Sequence, residues 1–298
     1  MLVFHNRNIP KGLKNYLSLI KFSHTIFAMP FAMVGFVSGT MLRGGTIDFK
    51  VLLLVVLCMV FARSAAMAFN RWLDKDIDSK NPRTIIREIP SGIIKADAAL
   101  IFVMANCILF IACTWFINPL CFWLSPVALL IVLGYSYTKR FTVLCHLVLG
   151  LGLSLAPVGA YLAVTGSFAL PPVLIGLSVL FWVAGFDIIY ALQDESFDKE
   201  NELYSIPVKF GRVNSMNLSK ILHFISASLL SVSMALYFQP LSLGIIVMIG
   251  MVIFFSMLVY QHSIISPTDL SRVNQAFFTT NGIASVVFGS MFVLDVLM

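Results

Sequence analysis

Nine apolar runs, each long enough to cross a bilayer as a helix, occupy most of this chain. They fall at roughly 17–41, 48–73, 96–117, 120–138, 142–164, 171–193, 215–237, 240–261 and 273–296. Barrel strands span in about half that length, so these runs are not strands. Within lipid every backbone N–H and C=O needs a partner inside the chain, and an uninterrupted run meets that need only as a helix. The expected fold is therefore all-α: a polytopic membrane protein of about nine transmembrane helices, one integral-membrane domain over 1–298 with no soluble module. Composition agrees. Of 298 residues, 59% are apolar and 11% charged, where a soluble domain carries about a quarter charged. Short links bearing Gly or Pro, such as Ile117-Asn118-Pro119, Thr165-Gly166-Ser167 and Phe238-Gln239-Pro240, make neighbouring spans antiparallel.

Lys and Arg set the orientation. Seventeen of the 20 lie near the N-terminus or around the loops that follow even-numbered spans; Arg43 and Lys50 fall on the other face, and Arg63 lies inside the second span. The N-terminus and those loops are therefore expected to be cytoplasmic. The net charge of +6 is a topology signal, and nucleic-acid binding is a poor reading of it. The first run contains Lys21 and His24, so it reads as a retained span rather than a cleaved signal. The five cysteines, Cys58, Cys107, Cys113, Cys121 and Cys145, show no metal-ligand spacing and read as small hydrophobes.

The two longest hydrophilic stretches, 74–97 and 194–214, follow spans two and six, and each begins with an acidic cluster. The recurrence four spans apart hints at a repeat of four-helix halves that the ninth span breaks. In the first cluster Asn70, Asp74 and Asp78 are spaced i, i+4, i+8, sharing one helix face with a drift of about 40° per step. Asp76 points away from that face. In the second, Asp187, Tyr190, Asp194 and Asp198 are spaced i, i+3, i+7, i+11, again one face. Ionisable groups at membrane helix ends are costly unless solvated, paired or bound to metal. A solvated rim suffices to explain one such cluster. Two clusters at matching spans favour chemistry: hard oxygen ligands for Mg²⁺, which takes carboxylates together with substrate phosphate oxygens. Arg83 and Arg87 after the first cluster, and Lys139-Arg140 on the loop between, would neutralise a diphosphate as its C–O bond breaks. An ion-coupled transporter is the alternative from another class, but its acids favour the bilayer midplane and broken helices. A membrane scaffold gives no reason for paired clusters.

These residues resemble the UbiA superfamily of intramembrane prenyltransferases. Its first signature, N-D-x-x-D-x-x-x-D, is similar to Asn70-Arg71-x-x-Asp74-x-x-x-Asp78, with Arg for Asp at the second position. The flanks agree: 63–69 before it, then Asn81-Pro82-Arg83-Thr84 and Arg87-Glu88-Ile89-Pro90-Ser91-Gly92 after it. The second signature, D-x-x-Y-A-x-x-D-x-x-x-D, is matched by Asp187, Tyr190, Ala191, Asp194 and Asp198. Tyr135 through Arg140 looks like the family's fourth loop, and 21–31 like its first helix. The N-R-x-x-D form is similar to a branch resembling the 4-hydroxybenzoate polyprenyltransferases, which includes enzymes assigned to the futalosine route of menaquinone synthesis.

The resemblance implies helices around a central cavity and transfer of a polyprenyl chain from an allylic diphosphate to an aromatic ring. Mg²⁺ would be held by Asn70, Asp74, Asp78, Asp194 and Asp198. Lys139, Arg83, Arg87 and Tyr190 are the candidate partners of the diphosphate. Lys21, Arg63 and Arg140 are candidates for an aromatic carboxylate, Arg63 having as its alternative a pairing with Asp78 or another structural acid. Asp187 is the candidate for orienting or deprotonating the phenolic ring. A Phe-rich interior would shield the cation. His24 reads as a polar group satisfied between helices, His146 and His223 as interfacial, Asn274 and Asn281 as helix–helix hydrogen-bonding groups on one face, and Asp295 as solvated. The oligomeric state is open.

Overall fold

A computed structural model describes residues 11–20 and 27–298 of the chain. Among the described residues all regular structure is helical apart from one isolated bridge, Ser266 to Asp269. The helices are α1 (Lys11–Leu19), α2 (Met29–Leu42), α3 (Phe49–Leu73), α4 (Lys75–Asp78), α5 (Ala96–Ile117), α6 (Pro119–Thr138), α7 (Cys145–Thr165), α8 (Leu170–Ala191), α9 (Glu195–Glu200), α10 (Ile206–Tyr237), α11 (Ile245–Ser263) and α12 (Asn281–Leu297). Eight of the resulting helical segments are long and apolar enough to cross a membrane, and α2 is a shorter apolar helix. The protein is a multi-pass integral membrane protein.

The first expected span, 17–41, is not one described helix. Its two described parts are α1 and α2, and Lys21 and His24 lie outside the described residues. Pro30 opens α2 in the first turn, where its missing N–H costs nothing; inside a continuous helix it would remove a hydrogen bond. At the far end, α10 starts nine residues before the expected position, capped by Ser205, whose hydroxyl accepts from the Val208 amide. Gly211, at φ 72°, breaks the helical path within it.

Packing runs α3–α5–α6–α7–α8–α10, then α11–α12, with α2 against both α7 and α12. The halves differ in filling. Phe31, Trp182, Phe186, Phe254 and Phe288 form a solid aromatic core among α2, α8, α11 and α12. A cavity of about 330 Å³ lies instead among α3, α5, α6 and α7. Close helix contact is what lipid-embedded helices use in place of hydrophobic exclusion. A Cβ on Gly150 of α7 would fall within van der Waals overlap of the Leu180 carbonyl oxygen on α8, and one on Gly35 of α2 would overlap the Pro157 carbonyl oxygen on α7.

Four polar expectations change. Asn281 does hydrogen-bond between helices: it accepts from Trp182 Nε1 at 3.0 Å and donates to the Ala276 and Phe277 carbonyls. Asn274 does not share its face and is exposed, because a π-helical turn over Gln275–Thr280 inserts between them and spoils the seven-residue spacing. Asp295 is not simply solvated; it accepts from the amides of Gly244 and Ile246 and so caps the N-terminus of α11 from α12. His146 and His223 are both buried rather than interfacial. His223 meets His262 Nε2 at 2.8 Å and the Trp182 carbonyl at 3.2 Å.

Candidate active site

The first acidic cluster keeps its helical spacing across a joint. α3 ends at Leu73, yet the amides of Asp74 and Asp78 still donate to the carbonyls of Asn70 and Asp74, at 2.9 and 2.7 Å. Asn70, Asp74 and Asp78 therefore stay in line, and Asn70 donates to Asp74 Oδ2 at 3.2 Å. Asp76 leaves that line and pairs with Lys75 on the surface.

The segment after α4 folds back through its own side chains. Asn81 Oδ1 accepts from the Arg83 amide at 2.9 Å, and Thr84 Oγ1 donates to the Asp78 carbonyl at 3.0 Å. Asn followed by Pro makes such a turn inexpensive, because the Asn side chain mimics a backbone turn and Pro presets φ. The turn aims two arginines. Arg87 NH1 reaches both oxygens of Asp78, at 2.7 and 2.8 Å. Arg83 crosses to the second cluster, donating from Nε and NH2 to the two oxygens of Asp194, and NH1 reaches the Tyr190 hydroxyl at 3.3 Å. Burial works against the Arg83 charge, but the Asp194 carboxylate and its hydrogen bonds outweigh that and hold the guanidinium above its ordinary pKa.

The end of α6 supplies two more cations. Lys139 Nζ lies 2.9 Å from Asp74 Oδ2, and Arg140 NH2 donates to Asp74 Oδ1 at 2.8 Å and to the Leu73 carbonyl at 3.1 Å. Arg140 thus bonds to an aspartate and main-chain carbonyls. In the second cluster, Tyr190 lies in the last turn of α8 and Asp194 closes a 3₁₀ turn before α9, which carries Asp198. Asp198 feels the charges of Lys139 and Asp194. Asp187 lies deeper in α8 and bonds His146 Nδ1 through Oδ2 at 2.7 Å.

Among the described residues, no three acidic, histidine or cysteine side chains converge closely enough to share a metal ion. Asp74, Asp78 and Asp194 are instead each matched with lysine or arginine. The donor set is one a hard divalent cation accepts, carboxylate and amide oxygens from two motifs joined through Arg83.

Two turns before Asn70, Arg63 lines the cavity together with Tyr135, which sits one turn before Lys139. Arg63 has no acid partner among the described residues, and its buried Nε has no hydrogen bond, so the pairing with Asp78 does not occur. Arg71 is buried as well, within electrostatic reach of Arg87, Asp78 and Glu88. The rest of the cavity wall is mostly aliphatic, with Cys58, Met59, Met67, Thr114, Cys121 and Ser125 among it; of the described phenylalanines only Phe110 and Phe168 line it. Aromatic rings gather elsewhere, under Tyr190: Phe277 and Phe278 lie 4.2 and 5.9 Å from its ring, with Phe27 and Phe186 behind. Nothing in the sequence pattern marked those rings, or His146, as part of the site.

The sequence pattern of the UbiA prenyltransferase family matches residues 28–283. The chain belongs to the UbiA prenyltransferase family. It is thus a prenyl-transferring enzyme, and the motif aspartates lie at one end of a UbiA fold. A UbiA homolog from Aeropyrum pernix K1, solved in its apo form, superposes with a TM-score of 0.81 at 30% identity, covering 92% of this chain and 98% of that one. A UbiA homolog from Archaeoglobus fulgidus bound to GPP and Mg²⁺ shares the fold, with a TM-score of 0.74 at 20% identity over 95% of this chain and 99% of that one. Among named relatives, a 4-hydroxybenzoate octaprenyltransferase of Nitrosomonas eutropha is 30% identical over 255 residues, which is 85% of this chain and 86% of that protein. Another of that name, from Aliivibrio fischeri strain MJ11, is 30% identical over 246 residues, 82% of this chain and 83% of that protein.

Proposed function

We propose that this UbiA-family enzyme transfers a polyprenyl chain from an allylic polyprenyl diphosphate to the ring of an aromatic acid, with 4-hydroxybenzoate as the acceptor, in respiratory quinone biosynthesis. The observation that carries the reading is a junction: both aspartate motifs meet four cations, and the helices that bring in Asn70 and Lys139 also carry Arg63 and Tyr135, which line an apolar cavity where Arg63 is buried with no acid partner among the described residues. The names of the relatives support the acceptor class.

Mg²⁺ held by Asn70, Asp74, Asp78, Asp194 and Asp198 would supply charge neutralisation for the diphosphate leaving group. The chain's own residues do the rest. Arg83, Arg87 and Lys139 already stand beside those aspartates and donate to phosphate oxygens when the donor arrives, in which task arginine's planar fork suits phosphate. Tyr190 adds a hydroxyl beside Arg83. Once the C–O bond breaks, the allylic cation needs a site without water; the apolar cavity excludes it, and the rings of Phe277, Phe278 and Tyr190 present π-faces near the place of heterolysis. Arg63 holds the acceptor's carboxylate, since a buried guanidinium without an acid requires an anion. Arg140, bonded to Asp74, fixes the first motif rather than the acceptor. The new C–C bond forms at the ring, and Asp187 takes the displaced ring proton.

A dihydroxynaphthoate carries the same carboxylate and an electron-rich ring, so it is the competing acceptor. Orientation with the N-terminus and motif loops on the cytoplasmic side follows from the Lys and Arg distribution. The test is membranes bearing the protein, labelled polyprenyl diphosphate and Mg²⁺, with each acceptor offered alone. Lipid-soluble product from 4-hydroxybenzoate, lost with EDTA and in Asp74→Ala and Asp194→Ala, is the expected result. Product from the naphthoate alone would move the enzyme to the other quinone route; product that persists in both variants would remove the aspartates from the site.

A further inference from the structure

We infer that His146 is the positioning residue of the Asp187 base: a buried imidazole, fixed in one tautomer by the main chain, that holds one carboxylate oxygen and leaves the other free for the acceptor's proton. The inference rests on the proposed role of Asp187.

His146 lies in the first turn of α7, and its side chain is only 4% exposed. Its two ring nitrogens have different partners. Nε2 faces the backbone amide of Ile206 at 3.4 Å, and an amide can only donate. Nε2 is therefore the acceptor, which leaves the proton of the neutral ring on Nδ1. That nitrogen points at Asp187 Oδ2, 2.7 Å away. The hydrogen bond the other nitrogen makes thus selects the tautomer. Ile206 is held in turn: it begins α10 behind the Ser205 cap, and the Tyr204 amide is tied to the Lys139 carbonyl at 2.8 Å. The orientation of Asp187 is consequently linked to the loop that carries the Asp74-binding lysine.

Asp187 itself keeps 21% of its side chain exposed, and Oδ1 has no partner among the described residues. A carboxylate meant only to neutralise a buried histidine would have no need of an open oxygen. His146 also lies one turn before Leu149, which lines the cavity. In the step assigned to Asp187, the ring C–H bond breaks, its electron pair returns to the aromatic system, and the proton passes to Oδ1. The Nδ1–H bond to Oδ2 keeps the accepting oxygen aimed.

The experiment compares purified enzyme with His146→Ala, His146→Asn and Asp187→Asn, using 4-hydroxybenzoate unlabelled or deuterated at both positions beside the hydroxyl. With His146→Ala we expect kcat to fall about 10- to 100-fold while KM for the polyprenyl diphosphate holds. The isotope effect on kcat should rise from near 1 to about 2 or more as proton removal becomes limiting. His146→Asn, whose amide can donate from about the position of Nδ1, should restore most of kcat. In the double variant with Asp187→Asn, losing His146 should cost nothing more. A fall in kcat with no isotope effect, or with a matching loss of thermal stability and no rescue by Asn, would overturn the inference and make His146 structural. Full turnover by Asp187→Asn would overturn the base assignment beneath it, and absence of product from the parent enzyme would overturn the acceptor on which both stand.

Discussion

Arg83 clasps Asp194 with two nitrogens, Nε at 3.0 Å and NH2 at 2.5 Å, and so joins the turn after the first motif to the end of the second, 111 residues further along the chain. Both side chains keep some solvent contact, 36% and 19%. A partly exposed pair contributes about 1 kcal/mol or less to stability. Arg83→Ala should therefore leave the thermal midpoint nearly unchanged while KM for the polyprenyl diphosphate rises about 10- to 100-fold. Steady-state kinetics with varied donor, beside a thermal melt in the same detergent, separates the two.

Arg63 should behave in the opposite way. A buried charge without an acid partner is a cost to the fold, and Arg63→Leu removes it. The variant should melt higher than the parent, yet KM for the aromatic acid should rise by about 10- to 100-fold through loss of a charged hydrogen bond. KM for the donor should not move. A variant that melts lower, with acceptor affinity intact, would place Arg63 in the packing alone.

Arg71 stands where the family signature has Asp. It is buried near Asp78 and Glu88, and Glu88 Oε2 has no hydrogen-bond partner among the described residues. Arg71→Asp, which would restore the signature, should thus destabilise the protein by about 3 kcal/mol, since it places a further buried acid beside Asp78 and Glu88 with only Arg87, already engaged by Asp78, to offset it. Adding Glu88→Gln should recover part of the loss, read as thermal midpoints of the single and double variants.

Gly150→Leu addresses the bundle itself. Any side chain at this position meets the Leu180 carbonyl and forces α7 from α8. Strain of this kind costs about 1–3 kcal/mol. The expected result is a lower midpoint together with reduced turnover, because α7 carries His146 and α8 carries Asp187.

Eight of the spans and the Asn70–Asp74–Asp78 face were legible in the sequence because both rest on local periodicity: long apolar runs, and polar side chains spaced by whole helical turns. The Asn70–Asp74–Asp78 line survives the end of α3 because the backbone hydrogen bonds continue through it. What was not legible depends on partners far apart in sequence or on a change in helical pitch. His146 looked interfacial because its partner is 41 residues away. Asn274 seemed to share a face with Asn281 because seven-residue spacing presumes an α-helix, and a π turn intervenes. Pro30 gave a local sign that the first span is not one helix. The rings of Phe277 and Phe278 carried no sign at all; phenylalanine in a membrane helix is ordinary, and only the fold brings them under Tyr190.

The small aliphatic cavity bears on how the enzyme treats donors of different length. At about 330 Å³ it sits at the low end for sites that enclose a small ligand, and on the proposed reading it must also admit the acceptor's ring. A long polyprenyl chain overfills such a space, so most of its tail lies in the surrounding lipid. On that reading the protein grips only the reactive end of its donor and has no ruler for the remainder. On the proposed reading, the length of the side chain on the finished quinone is set upstream, by whichever chain-elongating synthase fills the membrane with diphosphate.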